Sequence, residues 1–403
     1  MPAADSIGRR WSGVVALGVL TITSYGSWFY GFGVLIDAIS AAEGWGTTAL
    51  GLTYGAAQVI TGVGSFVGGR LLDRRGGAGP FGVQATVGGG CLLAATWAGD
   101  VVVFGILYGA GAGVIGATGF YSVTTAAAAR LRPDRPDRAI AVLTVIGAFA
   151  SPIYLPVTAW LVSVSDWRTA ARVLALAAIV GAGVAAIVVG RGGAGSGAGW
   201  SARPLDAMRS ALARPPVRRM LAVYGAAGAA YSSVLVYQVP ILTGAGVGLA
   251  AAGFVGGLRG FCQIFGRISL ASAIERVGAA RLLRFAYAAS AVGVGFLLIG
   301  SVPAGVAYGV IGGVALGATS PLQAIYARSQ FGTADLGLLM GLQGAALGIA
   351  GGVGPLVGGA AHDVTGSWVP VVVLAMAALA VATALAGRDA RHPTAGASRP
   401  GEG

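Results

Sequence analysis

Apolar residues run along this chain in long continuous blocks, separated by short polar joints that carry nearly all of its charge. A helix needs about 20 apolar residues to cross a bilayer. Twelve blocks of that size are present, at roughly 11–36, 47–69, 79–97, 101–126, 139–163, 168–190, 217–241, 249–272, 282–300, 304–327, 337–361 and 368–387. Barrel strands would alternate apolar and polar positions; these blocks do not, so they predict helices. The longest polar interruption, residues 191–219, divides the helices six and six. Its first part is rich in Gly and Ser, and its second, arginine-rich part predicts a helix lying on the membrane surface. The expected organisation is one bundle over 1–190, a linker over 191–216, a second bundle over 217–387 and a disordered tail over 388–403.

The two halves echo one another. Asp73, Arg74, Arg75 and Gly76 follow the second block, and Glu275, Arg276, Val277 and Gly278 follow the eighth. Trp167 precedes the sixth block and Trp368 the twelfth, so both pairs lie roughly 200 residues apart, as duplicated parallel halves would. The fold class expected is an all-α membrane protein, with twelve transmembrane helices in two pseudo-symmetric six-helix bundles. Many of the 71 glycines fall inside the blocks, where small residues let helices approach and slide. Gly109, Gly113 and Gly116 in the fourth block, and Gly256 and Gly260 in the eighth, are expected to do so.

Composition strengthens this picture. The chain is 56% hydrophobic and only 10% charged, where soluble domains carry about 25% charged residues. All 26 basic residues are arginine, and the net charge is +12. With the N-terminus on the cytoplasmic side, 23 arginines fall at cytoplasmic ends or loops, Arg168 and Arg172 fall outside, and Arg259 is embedded. That asymmetry follows the positive-inside rule and argues against a nucleic-acid partner. The usage points to a bacterial cytoplasmic membrane, with both termini cytoplasmic and the chain a monomer in contact with lipid. Arg9 and Arg10 precede a run too long for a secretion signal. Cys91 and Cys262 lie inside blocks, and His362 and His392 are far from metal-ligand spacing, so no metal or other cofactor is implied. The run from Gly111 to Gly116 spells a dinucleotide fingerprint, but it sits within a helical block with no strand before it. No nucleophile, histidine and acid converge, so an enzyme is not expected.

The chemistry centres on Arg259, a lone cation within an uncharged segment. By helical rise it stands about 16 Å from Gly248 and about 12 Å from Arg267, near the bilayer midplane. A charge at that depth normally faces a partner or a water-filled cavity. Its planar fork suits a carboxylate, and Gln263 and Arg267 share its helix face. Further polar side chains inside the blocks are candidate cavity lining: Tyr30, Tyr54, Gln58, Tyr121, Tyr154, Tyr231, Gln238 and Gln343. No acid lies mid-block; Asp37, at the outer end of the first, is the nearest candidate for proton coupling.

Gly69, Asp73, Arg74 and Gly76 form a loop that resembles the GxxxD(R/K)xG signature of the major facilitator superfamily. The resemblance implies a gating role, with Asp73 helping to latch the two halves on the inner side, while Gly69 is expected to allow close helix contact. Tyr30 to Leu35, then Gly44 and Trp45, resemble the monocarboxylate-transporter and oxalate:formate-antiporter branch. Asp166, Trp167 and Arg168, and Asp363, Gly366 and Trp368, are similar to two further turns of that branch. In it, an arginine of the eighth span binds the substrate carboxylate, and Arg259 occupies the matching place. Val255 stands where some members carry an aspartate, Gln343 is the neutral residue in the span that holds a second cation in the oxalate carrier, and Tyr30 replaces a lysine. The expected function is thus a symporter, antiporter or uniporter for a small organic anion, with one cation favouring a monocarboxylate. The substrate-binding set is Arg259, Tyr30, Tyr121, Gln263, Tyr231, Gln343 and Tyr54. The alternatives are a drug or sugar exporter of the same superfamily, which Gly354, Pro355, Gly358 and Gly359 echo, and a non-transporting receptor.

Overall fold

The computed structural model describes residues 2–190, 204–268, 270–331 and 336–386. The expected tail at 388–403 and the Gly/Ser-rich start of the expected linker lie outside the described residues. The described residues are helices joined by short turns, and among them eleven helices are long and apolar enough to cross a membrane. In order, α1 is Trp11–Glu43, α2 Thr47–Arg75, α4 Val101–Leu131, α5 Pro136–Val164 and α6 Trp167–Val189. After them come α7 Pro215–Gly244, α8 Leu249–Ile268, α9 Ala279–Ile299, α10 Val302–Phe331, α11 Leu336–Thr365 and α12 Val369–Ala386. The twelfth, α3, covers residues 78–95 and is built from Ala78–Val83, Gln84–Gly88 and Gly89–Ala95. Its glycines and Gln84 keep it less apolar than the others.

The observed helices overrun several apolar blocks. α1 continues to Glu43, beyond the expected 36, and the eighth block ends as α8 at Ile268 before an amphipathic helix, Leu270–Val277. A helix does form in the arginine-rich stretch, at Pro204–Ala213. Several joints are fixed by specific side chains. Asp100 accepts from the N–H groups of Val102 and Val103 to start α4, and Asp166 accepts from that of Thr169 to start α6. The turn from α2 into α3 needs a left-handed residue, and Gly76 supplies φ 64°. In the loop between α4 and α5, Arg132 bonds Asp134 and holds its carboxyl down at about 2. Arg168 and Arg172, the two arginines expected outside, gather at the end of α3. Arg168 donates to the Thr96 and Ala98 carbonyls and pairs with Glu43 at 2.9 Å, and Arg172 reaches the Thr96 hydroxyl. There they oppose the negative end of a helix dipole.

The two halves meet along α2 with α11, α5 with α8 and α1 with α7. Glycines make the close approach. Added methyl groups at Gly33, Gly51, Gly55 and Gly260 would overlap Val236, Pro355, Gly352 and Ser151 of the facing half. Gly113 and Gly116 likewise seat α4 against Ile60 and Thr61 of α2. Gly69 does not play the expected part: a methyl group there would meet nothing, and the contact with Ala117 is made by Gly68. At the end away from the arginine-rich loops the seam is tied by hydrogen bonds. Asp363 of α11 accepts from the main-chain N–H of Thr47 at 3.0 Å and of Thr48 at 2.7 Å, so α2 receives its cap from the other half. Thr243 of α7 donates to Asp37 of α1 at 2.5 Å. Seam contacts run from this end to about Gly62 with Gly348 and Ser151 with Gly260.

A candidate anion site at the seam

Arg259 lies on α8 facing the other half, and it is only 1% exposed. Its Nε donates to Gln238 Oε1 of α7 at 3.1 Å, and its Nη2 donates to Ser151 Oγ of α5 at 3.3 Å. Tyr308 of α10 donates to the same Gln238 oxygen at 3.1 Å. The Tyr30 ring of α1 has its centre 5.9 Å from the guanidinium carbon. Nη1 is buried and has no hydrogen-bond partner. No carboxylate pairs with Arg259 among the described residues.

In this conformation Arg259 is shut between the halves. It is Gln238, one helix away, and not Gln263 on the same helix face, that accepts from the guanidinium. Gln263 is half-buried one turn further along the α8 face, and Arg267 a turn beyond that reaches the Tyr121 hydroxyl. The face of α8 therefore carries one buried and one accessible guanidinium, with an amide between them.

The remaining predicted residues divide into two groups. Tyr30, Tyr54 and Tyr121 belong to a sheet of aromatic rings on the α1, α2 and α4 side. The Tyr54 hydroxyl donates to the Phe29 carbonyl at 3.3 Å and its ring packs on Trp28 and Phe32. Tyr231 and Gln343 instead belong to a hydrogen-bond network inside the second half. The Tyr231 hydroxyl shares bonds with Ser290 at 2.9 Å and Thr319 at 3.2 Å, and Gln343 donates to Gln323 at 3.1 Å. Gln323 in turn donates to Tyr287, and Tyr224 donates to the Gln323 carbonyl. Nothing in the sequence pattern separates these two groups, because both present a polar side chain in an apolar helix. Ser151 and Tyr308 carried no signal that marked them as partners of Arg259.

The loop residues sit where the sequence placed them, but Asp73 faces inward to its own half. It pairs with Arg130, at the end of α4, at 2.6 Å. Among the described residues no ion pair joins Asp73 to the second half. Among the described residues no group of three or more His, Cys, Asp or Glu is placed to hold a metal ion.

This layout of twelve helices in two halves is the major facilitator fold. The family model of the Major Facilitator Superfamily matches residues 239–403. The nucleoside transporter NupG superposes with a TM-score of 0.74 at 13% identity, covering 94% of this chain and 98% of that one. A D-xylose-proton symporter gives 0.71 at 14% identity, covering 93% of this chain and 96% of that one. A bacterial homologue of the human lysosomal transporter Spinster, in an inward-facing and unoccupied conformation, gives 0.71 at 14% identity, covering 94% and 97%. No curated protein sequence matches this chain significantly.

Proposed function

We propose that this chain is a membrane transporter of the major facilitator superfamily that moves a small organic anion, a monocarboxylate, by alternating access. Arg259 pairs the carboxylate. The observation that carries this reading is the orphan Nη1 donor, buried at the seam on a cation that no acid among the described residues neutralises. Leaving such a donor unpaired costs about 1–3 kcal/mol, and more on a charged group. A carboxylate arriving between the halves removes that cost, taking two bonds from one planar fork. It also competes with Ser151, so binding loosens the contact between α5 and α8 that holds the far end shut. Charge neutralisation and gating thus meet in one side chain. The arginine-rich end faces the cytoplasm under this reading, and the opposite end is sealed by Asp363 and Asp37.

Uptake of radiolabelled lactate, benzoate and other monocarboxylates into proteoliposomes tests the proposal. Arg259→Gln is expected to lower carboxylate uptake by roughly tenfold to a hundredfold, the worth of a charge-assisted hydrogen bond. Arg259→Lys is expected to retain part of it. The competing reading, a carrier of neutral solutes, draws on the burial of Arg259, which makes it a structural clamp. Nucleoside or sugar uptake by the wild type that Arg259→Gln leaves intact, with no carboxylate uptake, establishes that reading and removes ours.

A further inference from the structure

The wall opposite α8 is made of rings, and its backbone is irregular. In α1 the turn Tyr25–Tyr30 is a π-helix, with the Gly31 N–H reaching the Gly26 carbonyl. In α4 the helix stops at Gly119, Phe120 adopts an extended conformation with ψ 169°, and helix resumes at Tyr121. Wide turns and broken membrane helices persist only where their freed backbone groups are buried in protein or line a cavity, not where they face lipid. Both interruptions deliver aromatic side chains to one place. Phe120 lies parallel to Trp28, with ring centres 5.6 Å apart and planes within 1°, and parallel to Tyr25, at 3.7 Å and 4°. Trp28 is fully buried, whereas Tyr25 is half-buried. The three rings form a stack whose exposed end is Tyr25. Phe29, Tyr30 and Tyr121 surround that end, and all three are partly exposed.

The cations bracket this patch. Arg259 lies over Tyr30, and Arg267 reaches Tyr121. Aromatic residues make up only 8% of the chain, and its other exposed large apolar side chains are mostly Val, Ile and Leu. An aliphatic cargo would be served by those residues without bending two helices. We propose that the carried anion bears an aromatic ring, which extends the stack on Tyr25 while its carboxylate binds Arg259. This assignment rests on the anion reading above. Stacking on a flat ring supplies affinity that an alicyclic ring of equal size forgoes.

The test is equilibrium binding to the purified full chain in detergent, by calorimetry, of benzoate, phenylacetate, cyclohexanecarboxylate and lactate. Benzoate or phenylacetate is expected to bind about threefold to tenfold more tightly than cyclohexanecarboxylate. In Tyr25→Leu that ratio is expected to fall to about one, with cyclohexanecarboxylate binding retained as the sign of an intact fold. Equal affinities for the two ring types in the wild type overturn the proposal, as does an unchanged ratio in Tyr25→Leu. If Tyr25→Leu does not fold, the wild-type ratio alone decides. Carboxylates that bind without ring preference but weaken in Arg259→Gln leave the anion reading standing and remove only this one. A chain that binds none of the four removes both.

Discussion

The two halves share a helix count and a layout, but they are built differently. In the first half three helices depart from regular geometry at similar depth: the π-turns of α1 and α3 and the break in α4. A fourth, α5, pauses at residues 148 and 149, where Pro152 withholds the N–H that the helix would need. In the second half α7, α8, α10 and α11 run without interruption through the described residues, although Pro240, Pro321 and Pro355 lie inside three of them. The first half faces the seam with rings and the second with hydrogen-bonding groups and the buried cation. Under the proposed function, an irregular wall beside a regular one suits a rocking carrier: the regular side fixes the charge while the other receives the cargo.

The largest way to break this arrangement is to keep the halves from meeting. A side chain at Gly260 would overlap Ser151 and approach Pro152. Gly260→Leu is therefore expected to stop the α5 and α8 seam from closing and to abolish transport. It should also raise the accessibility of a cysteine placed at Thr48, which labelling with a membrane-impermeant maleimide reads. Transport at wild-type rates in Gly260→Leu would mean that the seam is not used.

Much of this was legible beforehand. Long apolar blocks fix the helices because nothing else hides so many backbone groups in lipid, and the arginine bias fixes which ends lie together. The depth of Arg259 follows from counting along one helix. Its burial does not, because that depends on Ser151, Gln238 and Tyr308, each from a different helix. The break at Phe120 left no mark either, since no proline stands at it. Gly69 misled for a related reason: a motif records that a glycine is present, whereas Gly68 beside it makes the contact.

Next in size is the support behind the ring wall. Gln84, in the π-turn of α3, donates to Ser24 at 2.7 Å and accepts from Thr118 at 3.2 Å, tying all three irregular stretches together in a buried site. Gln84→Leu is expected to cost about 1–3 kcal/mol, read as a lower unfolding midpoint in detergent. Gln343→Leu in the second half should cost less than about 1 kcal/mol, because it removes one hydrogen bond and also a carbonyl oxygen that is buried without a partner. Equal losses from the two would mean that the irregular half is no more dependent on its buried amide than the regular one.

The smallest effect asks why the second half stays straight. Pro355 cannot donate to the Gly351 carbonyl one turn earlier, yet α11 continues. The hydroxyl of Ser232, on α7, donates to that carbonyl at 2.6 Å and takes the place of the missing N–H. Ser232→Ala alone is expected to cost about 1 kcal/mol, since it strands a buried acceptor. In a Pro355→Ala background the helix supplies its own N–H, so the same Ser232→Ala change should cost close to nothing. A coupling of about 1 kcal/mol between the two positions, from unfolding midpoints of the four variants, is the expected reading of the cycle. Additive losses would instead place the straightness of α11 in its packing against α2 and α7. The contrast between the halves would then be one of shape alone, with no side chain mending the backbone.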